Sequence, residues 1–478
     1  MIKQILIMVM LLVSIAAGET RPPNVIIILT DDQGYADLGC YGSTTLKTPR
    51  IDQMAAEGMR FTDFYSPGPV CTPTRAGLLT GAHPQRLSLE VIPREKPDGS
   101  DAHVLYSRSR YGLHPDEVTI AEVLKARGYA TGMIGKWHLG DAPQFLPTKQ
   151  GFDSYFGIPY SNDMKPSVLL RNDQVVEEPV KQETLVERYT DEAKQFIQSN
   201  KDKPFFLYLA HAAPHTPLFV SDRFKGRTSR GTYGDLIEAL DWSTGEILDT
   251  LKQLNLDDNT LVIYTSDNGP WLFRGEAGGS AFPLRGGKGT TYEGGMRIPF
   301  IARWPGHIPA AKTSKEPLTH LDLFPTICAL TGAKPSDRKI DGADISSILL
   351  GDANAKNPHE AIFYYGDGCL NAVRSGRWKF KVQTALQQET EYGKYESPDA
   401  KIPPALYDLE FDPAEQKNVA ADHPDIVKRL QKYLHDQRQE LGDRRLNIVG
   451  KGVRPCGVAE DVKKAATGEV SYNDRKVK

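Results

Sequence analysis

The chain has 478 residues, 40% hydrophobic and 25% charged, an ordinary globular composition that excludes disorder as the default and is long enough for a large core and two domains. With 58 Lys+Arg against 61 Asp+Glu the net charge is −3, so no global basic field points to a nucleic-acid partner and any anion site must be local. The five cysteines, Cys40, Cys71, Cys328, Cys369 and Cys456, are an odd count in a chain too large to need a disulfide framework, which suggests another job for at least one.

Residues 1–18 pass from Lys3 through an apolar run over 5–13 to the small residues Ala16, Ala17 and Gly18, a signal-peptide pattern with cleavage expected near its end. The run is too short to span a membrane, no lipid-accepting Cys follows it, and no other segment reads as membrane-spanning. The expectation is a soluble exported protein, periplasmic or secreted. Next comes Asn24-Val25-Ile26-Ile27-Ile28-Leu29, a β-branched run of the kind buried on both faces of a parallel sheet. It ends in Asp31-Asp32. Acids there are either solvated turn residues or a ligand site at the C-terminal end of a central strand, where a divalent cation would relieve their repulsion.

A helix is expected over 49–57, then a second from the stretch Cys71-Thr72-Pro73-Thr74-Arg75-Ala76-Gly77-Leu78-Leu79-Thr80-Gly81. Pro73 suits its first turn, so Cys71 falls at or just before the N-terminus, where free N–H groups favour an anion. Arg75 brings a fixed charge one turn on. Taken alone, Cys71 is more often inert core. An amphipathic helix over 118–128, closed by Gly128, leads to a strand over 129–134 that delivers Lys136 and His138, at i and i+2 on one side. Another buried strand over 204–209 opens onto His211 and His215, and 233–254 reads as a helix with a core stripe of Leu236, Leu240, Ile247, Leu251 and Leu254. A last apolar run, 261–265, ends in Asp267-Asn268. With Asp31 and Asp32 these make an oxygen-only set that suits Ca²⁺ or Mg²⁺ rather than zinc. The glycine-rich stretch around Lys288 fails the phosphate-binding P-loop spacing, because Gly289 follows the lysine. After a helix start at Asp322 short strands appear over 361–365, 371–374, 378–382 and 405–409, then a helix over 424–441. The stretch 383–404 reads as a loop without His, and the tail after Gly442 as polar and loosely held.

Cys71-x-Pro73-x-Arg75 followed by Ala-Gly-Leu-Leu-Thr-Gly resembles the sulfatase signature, with Thr74 where the family often has Ser and Ala82 where Arg often follows. Gly135-Lys136-Trp137-His138-Leu139-Gly140 resembles the second signature, and the loop from Leu284 to Gly295 resembles the family's lysine loop. Asp412-Pro413-x-Glu415 and Asn418 are similar to its C-terminal domain. The resemblance implies an α/β, alkaline-phosphatase-like fold: a large, mostly parallel sheet between helices with a smaller C-terminal antiparallel-sheet domain. It divides the chain into the leader 1–18, a catalytic domain 19–355, the C-terminal domain 356–442 and the tail 443–478.

It also implies that Cys71 is oxidised by a formylglycine-generating maturase to Cα-formylglycine. The hydrate would attack the sulfur of a sulfate ester through one hydroxyl and expel sulfate by deprotonation of the second, a step served by His138. Asp31, Asp32, Asp267, Asn268 and residue 71 would hold Ca²⁺, with Mg²⁺ the second choice. Arg75, Lys136, Lys288 and His215 would surround the sulfate, the last two stabilising or protonating the departing oxygen, and Ser161 would face the substrate, as in arylsulfatases of the arylsulfatase A and galactosamine-6-sulfatase type. His211 reads as structural. Converting Cys71 leaves four cysteines, which pair in one of three ways or not at all. The substrate expected is a sulfated small molecule or glycan. Alternatives on the same scaffold are a phosphonate or phosphate ester hydrolase and, in another class, an inactive carbohydrate- or anion-binding homologue.

Overall fold

The computed structural model describes residues 21–96, 98–390 and 393–459, so the leader expectation lies outside the described residues. In chain order the first strands are β1 (Asn24–Thr30), β2 (Met59–Tyr65), a short β3 (Tyr111–Gly112), β4 (Ala130–Gly135), β5 (Ser154–Gly157), β6 (Leu169–Arg171), β7 (Gln174–Glu177), β8 (Phe205–Ala210), β9 (Thr260–Ser266), β10 (Arg297–Arg303), β11 (Lys312–Ser314) and β12 (Leu318–Thr319). All but β3 join one 11-stranded sheet in the order β11-β2-β10-β9-β1-β8-β4-β5-β6-β7, with β12 also paired to β2. From β9 through β5 the neighbours are parallel. β10 is antiparallel to both β9 and β2, and β6 and β7 form an antiparallel edge.

Helices cover both faces because β1 is apolar at every position between its ends. Val25, Ile27 and Leu29 join the core under α2 (Cys71–Thr80) and α3 (Ile120–Ala126). Ile26 and Ile28 join the opposite core, under α1 (Pro49–Ala56), α4 (Leu185–Ser199) and α5 (Gly231–Gln253). Each such side chain, fully removed from water, contributes about 2 kcal/mol. The parallel register pairs Thr30 with Ser266, Leu29 with Ala210 and Gly135 with Ala210, so β1, β9, β8 and β4 end level. Asp31, Asp267, His211 and Lys136 therefore leave the sheet at one edge.

A short α6 (Glu293–Met296) leads into β10, and after β12 come α7 (Leu323–Thr331) and α8 (Ser346–Leu349), then a four-stranded antiparallel sheet. Its strands are β13 (Ile362–Gly366), β14 (Cys369–Ser375), β15 (Trp378–Lys381) and, beyond an inserted hairpin of β16 (Thr384–Thr390) and β17 (Gly393–Ile402), β18 (Ala405–Asp408). The stretch expected as a loop over 383–404 is thus mostly that hairpin. Its polar sequence lacks the alternation by which a half-buried strand is read. The helix α9 (Pro424–Leu441) packs Leu430, Leu434 and Leu441 on this sheet.

The tail differs from expectation too. Gly442–Asp443 pairs with Ile448–Val449, and Gly457–Val458 adds to β3, far back along the chain. Arg454 there donates to both oxygens of Glu117, at 2.8 and 2.7 Å, so the segment to Ala459 is tied down by charge and backbone rather than by an apolar pattern. All five cysteines are free thiols. Among the described residues no helix is long and apolar enough to cross a membrane.

Candidate active site

The level strand ends, together with the N-terminus of α2, build one buried centre. Cys71 is the first residue of α2, after an extended Val70, and its thiol is 1% exposed. Its Sγ donates to Asp31 Oδ1 at 3.4 Å and lies 3.5 Å from Lys288 Nζ. Burial pushes this thiol well above its ordinary value, with Asp267 adding to the rise, so as a thiol it is protonated and a weak nucleophile.

Asp31 and Asp32 follow β1, and Asp32 adopts a left-handed φ of 64° that few non-glycine residues hold. Its backbone N–H is fixed there by Asp267 Oδ1 at 3.1 Å. Asp31 Oδ2 accepts from Lys136 Nζ at 2.5 Å and lies 3.6 Å from Arg75 Nη2. Burial opposes charge on Asp31, yet the fixed charges of Lys136, Arg75 and Lys288 together hold it well below the usual carboxylate range. Asp32 Oδ2 accepts from Lys288 Nζ at 2.7 Å, and its Oδ1 from Asn268 Nδ2 at 2.7 Å. Asp267 Oδ2 pairs with Arg75 Nε and Nη2 at 3.2 and 3.0 Å, but burial and the nearby Asp31 push its pKa up to about 7.

Two glycines allow this convergence. A Cβ on Gly135, at φ 112°, would stand 1.8 Å from the Ala210 carbonyl oxygen. One on Gly269 would stand 1.8 Å from that of Gly294, where the chain after Asn268 meets the loop carrying Lys288 backbone to backbone.

The two histidines have defined tautomers. His138 Nε2 lies 2.9 Å from the Leu105 carbonyl, which only accepts, so Nε2 carries the proton and Nδ1 is left with a lone pair and no hydrogen-bond partner among the described residues. Burial and the charges of Lys136 and Arg75 hold His138 well below its ordinary pKa, so it is neutral. Asn162 Nδ2 donates to the carbonyls of His215 and Pro217, which directs its Oδ1 to His215 Nδ1 at 2.9 Å. His215 Nε2 then faces Asp32 Oδ2 at 3.6 Å, and burial with Lys288 lowers its pKa to about 3. Lys288, by contrast, stays charged: burial opposes it, but Asp32 raises its pKa. Ser161 accepts from Lys136 Nζ at 3.2 Å. His211 points elsewhere, to Ser243 Oγ at 3.2 Å.

Every site residue expected from the sequence thus converges here. The residues also fit a divalent cation. Ligand atoms of Asp31, Asp32, Cys71 and His215 all lie within 4.8 Å of one another, and Asn268 Oδ1 is a buried acceptor with no partner among the described residues. Asp267 is placed less directly than expected, since it is not among the residues whose ligand atoms all lie within 4.8 Å of one another. Arg75, Lys136 and Lys288 balance the three carboxylates; a bound dication would tip the centre positive and favour an anion.

Sequence reading missed three contributors. The Leu105 carbonyl and Asn162 orient the histidines, and nothing local marks them. Trp271 packs on His215 at 5.7 Å between ring centroids and lies 4.9 Å from Lys288 Nζ; an aromatic residue directly after Asp267-Asn268-Gly269-Pro270 was the available signal. A cleft of about 760 Å³ between Glu57, Arg303 and His307 lies at the other end of the sheet, beside Asp257, which precedes β9. It does not contribute to this centre.

The family model "Sulfatase" matches residues 23–333, and that of the C-terminal region of aryl-sulfatase matches 357–460. Arylsulfatase A of Homo sapiens is 42% identical over 464 residues, covering 88% of this chain and 89% of that protein. N-acetylgalactosamine-6-sulfatase of Canis lupus familiaris is 37% identical, covering 92% and 90%. A solved structure from work on the metabolism of multiple glycosaminoglycans by Bacteroides thetaiotaomicron is 31% identical with a TM-score of 0.77, covering 88% of this chain and 100% of that one. The expected alkaline-phosphatase-like architecture, a mostly parallel sheet between helices with an antiparallel C-terminal domain, is the one found.

Proposed function

Because the chain belongs to the sulfatase family and is a sulfuric ester hydrolase, we propose that it is an exported, formylglycine-dependent enzyme acting on sulfate esters of carbohydrates. The observation that carries the chemistry is the position of Cys71. It is buried at the start of α2, within hydrogen-bonding distance of Asp31 and beside the ammonium of Lys288. Formylglycine at position 71, made by a maturase before the signature is buried, supplies in hydrated form both a nucleophile and a second hydroxyl for releasing sulfate, while Ca²⁺ offsets the carboxylates and polarises the ester. In this reading Asp31, Asp32, Asn268 and residue 71 hold the ion, with Asp267 steadying the set through Arg75 and the Asp32 N–H.

The remaining residues bind and move protons. Arg75 and Lys136 give fixed positive charge for the sulfate oxygens, with Ser161 beside Lys136. His138, neutral and with Nδ1 unprotonated, accepts a proton during sulfate release. Lys288 is the charged donor for the departing alcohol oxygen, and neutral His215 stands beside it as a polar contact. Two of the similar proteins concern a galactosamine sulfate and glycosaminoglycan metabolism, which supports a carbohydrate alcohol.

The test is a peptide mass over residues 70–75 joined to sulfate release from a panel of sulfated mono- and oligosaccharides. Specific activity should track the fraction of Cys71 that has lost mass on conversion to the aldehyde, and co-expression with a maturase should raise both. Full activity with an intact thiol, or faster turnover of matched phosphate esters, overturns the reading.

A further inference from the structure

The loop that carries Lys288 runs from Leu284 to Tyr292, between β9 and α6, with no helix or strand of its own beyond short turns. On the catalytic side two backbone bonds hold it, Lys288 N–H to the Pro270 carbonyl at 2.9 Å and Gly289 N–H to the Pro69 carbonyl at 2.7 Å, besides the Lys288 ammonium's own bond to Asp32. Its other side is held by charge, and the charge comes from the C-terminal sheet.

Lys379, in the middle of β15, is fully buried. Its Nζ donates to the Thr291 carbonyl at 3.0 Å and to Glu293 Oε1 at 2.9 Å, and pairs with Glu415 Oε1 at 2.9 Å. Glu415, also buried, accepts the Glu293 N–H on its Oε2 at 2.6 Å, and its own carbonyl accepts from Arg285 Nη1 at 3.0 Å. Lys381, two residues along β15, donates to Thr291 Oγ1 at 3.1 Å. The loop is therefore gripped at Arg285, Thr291 and Glu293, on both sides of Lys288.

Burying such a triad is costly, and well-packed apolar residues often replace one without loss of stability, so stability alone is a weak reason for it. What an ionic clamp supplies is register. We propose that Lys379 and Glu415 are positioning residues for Lys288, through which the C-terminal sheet fixes the catalytic lysine against the reacting oxygen. This rests on Lys288 being the donor to the leaving alcohol. A displacement of about 1 Å at such a donor costs on the order of a hundredfold in rate, and only where the leaving group needs the donor.

The experiment compares kcat/KM for aryl sulfates of good leaving groups with that for alkyl or sugar sulfates, in mature enzyme carrying Lys288→Ala, Lys379→Met, Lys379→Arg, Glu415→Gln or the Lys288→Ala/Lys379→Met pair. Lys379→Met should lose roughly 10–100 times more on the poor leaving groups than on a nitrophenyl sulfate, in the same sense as Lys288→Ala. The double variant should lose no further leaving-group preference, because the clamp acts only through Lys288. Lys379→Arg, which keeps the charge, should recover some of the loss. Glu415→Gln should show the same bias and keeps the test open if Lys379→Met does not fold. Equal losses on both substrate classes, or additive preferences in the double variant, overturn the clamp while leaving the role of Lys288 intact. If Lys288→Ala itself shows no leaving-group preference, the premise fails and the clamp with it.

Discussion

Asp267 and Asn268 are neighbours in sequence, yet their side chains answer to different partners. Asp267 is the buried counter-charge of Arg75, both fully buried, whereas Asn268 turns its Nδ2 to Asp32 and leaves Oδ1 without a partner among the described residues. Removing Asp267 strands a buried guanidinium whose next carboxylate, Asp31, is 3.6 Å away. Asp267→Ala should therefore lose about 3 kcal/mol of stability even with metal chelated. Asn268→Ala should lose only about 1 kcal/mol under chelation, but should lack the rise in Tm that calcium gives the parent enzyme. Thermal melts with calcium and with chelator separate the two, and an undiminished calcium effect in Asn268→Ala would remove that residue from the ion. The identities of these groups were legible in the sequence, because acids and amides at the ends of apolar runs mark the edge of a parallel sheet. Their division of labour was not, since it depends on where the Arg75 guanidinium lies.

The elements that position the site were read to within a residue or two where an apolar pattern carries them: β1, β4, β8, β9, α2 and α9. β5 to β7 and the β16–β17 hairpin escaped, being short or polar; β2 escaped because Arg60 and Asp63 break its apolar run and β10 because Pro299 interrupts its own; and the ties of 443–459 escaped because Arg454 and Glu117 are far apart in sequence. Placement of α1 rests on another such long-range contact. Asp241 of α5 accepts the Arg50 and Ile51 N–H groups with Oδ1, at 3.0 and 2.8 Å, satisfying free donors of the first turn of α1. Burial pushes Asp241 up to about 6 from an ordinary value of 3.8, although both N–H bonds oppose the rise. A carboxyl with a raised folded pKa binds its proton more tightly when folded. Its stabilising share is complete below about pH 4 and lost as the pH rises through about 6. Asp241→Asn removes that titration. Measured against it, the parent should lose up to about 3 kcal/mol between pH 4 and 7 in urea denaturation. A pH-independent difference would show that burial does not govern this carboxyl.

For the whole molecule, the question is what joins the C-terminal sheet to the central sheet as a single cooperative unit. Arg86, six residues beyond the end of α2, stands at the junction. Its side chain is 1% exposed and donates Nε and Nη2 to the two oxygens of Asp341, at 2.9 and 2.7 Å, and Nη1 to Glu440 of α9 and the Gly452 carbonyl, at 2.8 and 2.9 Å. The Arg86 carbonyl in turn accepts the Arg454 N–H at 2.6 Å. One guanidinium thus joins the segment after the signature helix, the last helix and the returning tail. Arg86→Met keeps the volume and removes the charge, leaving Asp341 almost without compensation. The expected cost is about 3 kcal/mol, the scale for breaking rather than replacing a buried pair, with Asp341 and Glu440 each only partly exposed. Because the broken contacts tie α9 and the tail to the segment after α2, the loss should not be uniform. Hydrogen exchange should quicken first in α9 and over 442–459, while β1, β8 and β9 keep their protection. If urea unfolding of Arg86→Met shifts by under about 1 kcal/mol, or exchange quickens equally in the central sheet, then this ionic junction does not hold the two sheets together, and other contacts between them, such as that of Lys379 with Glu293, do.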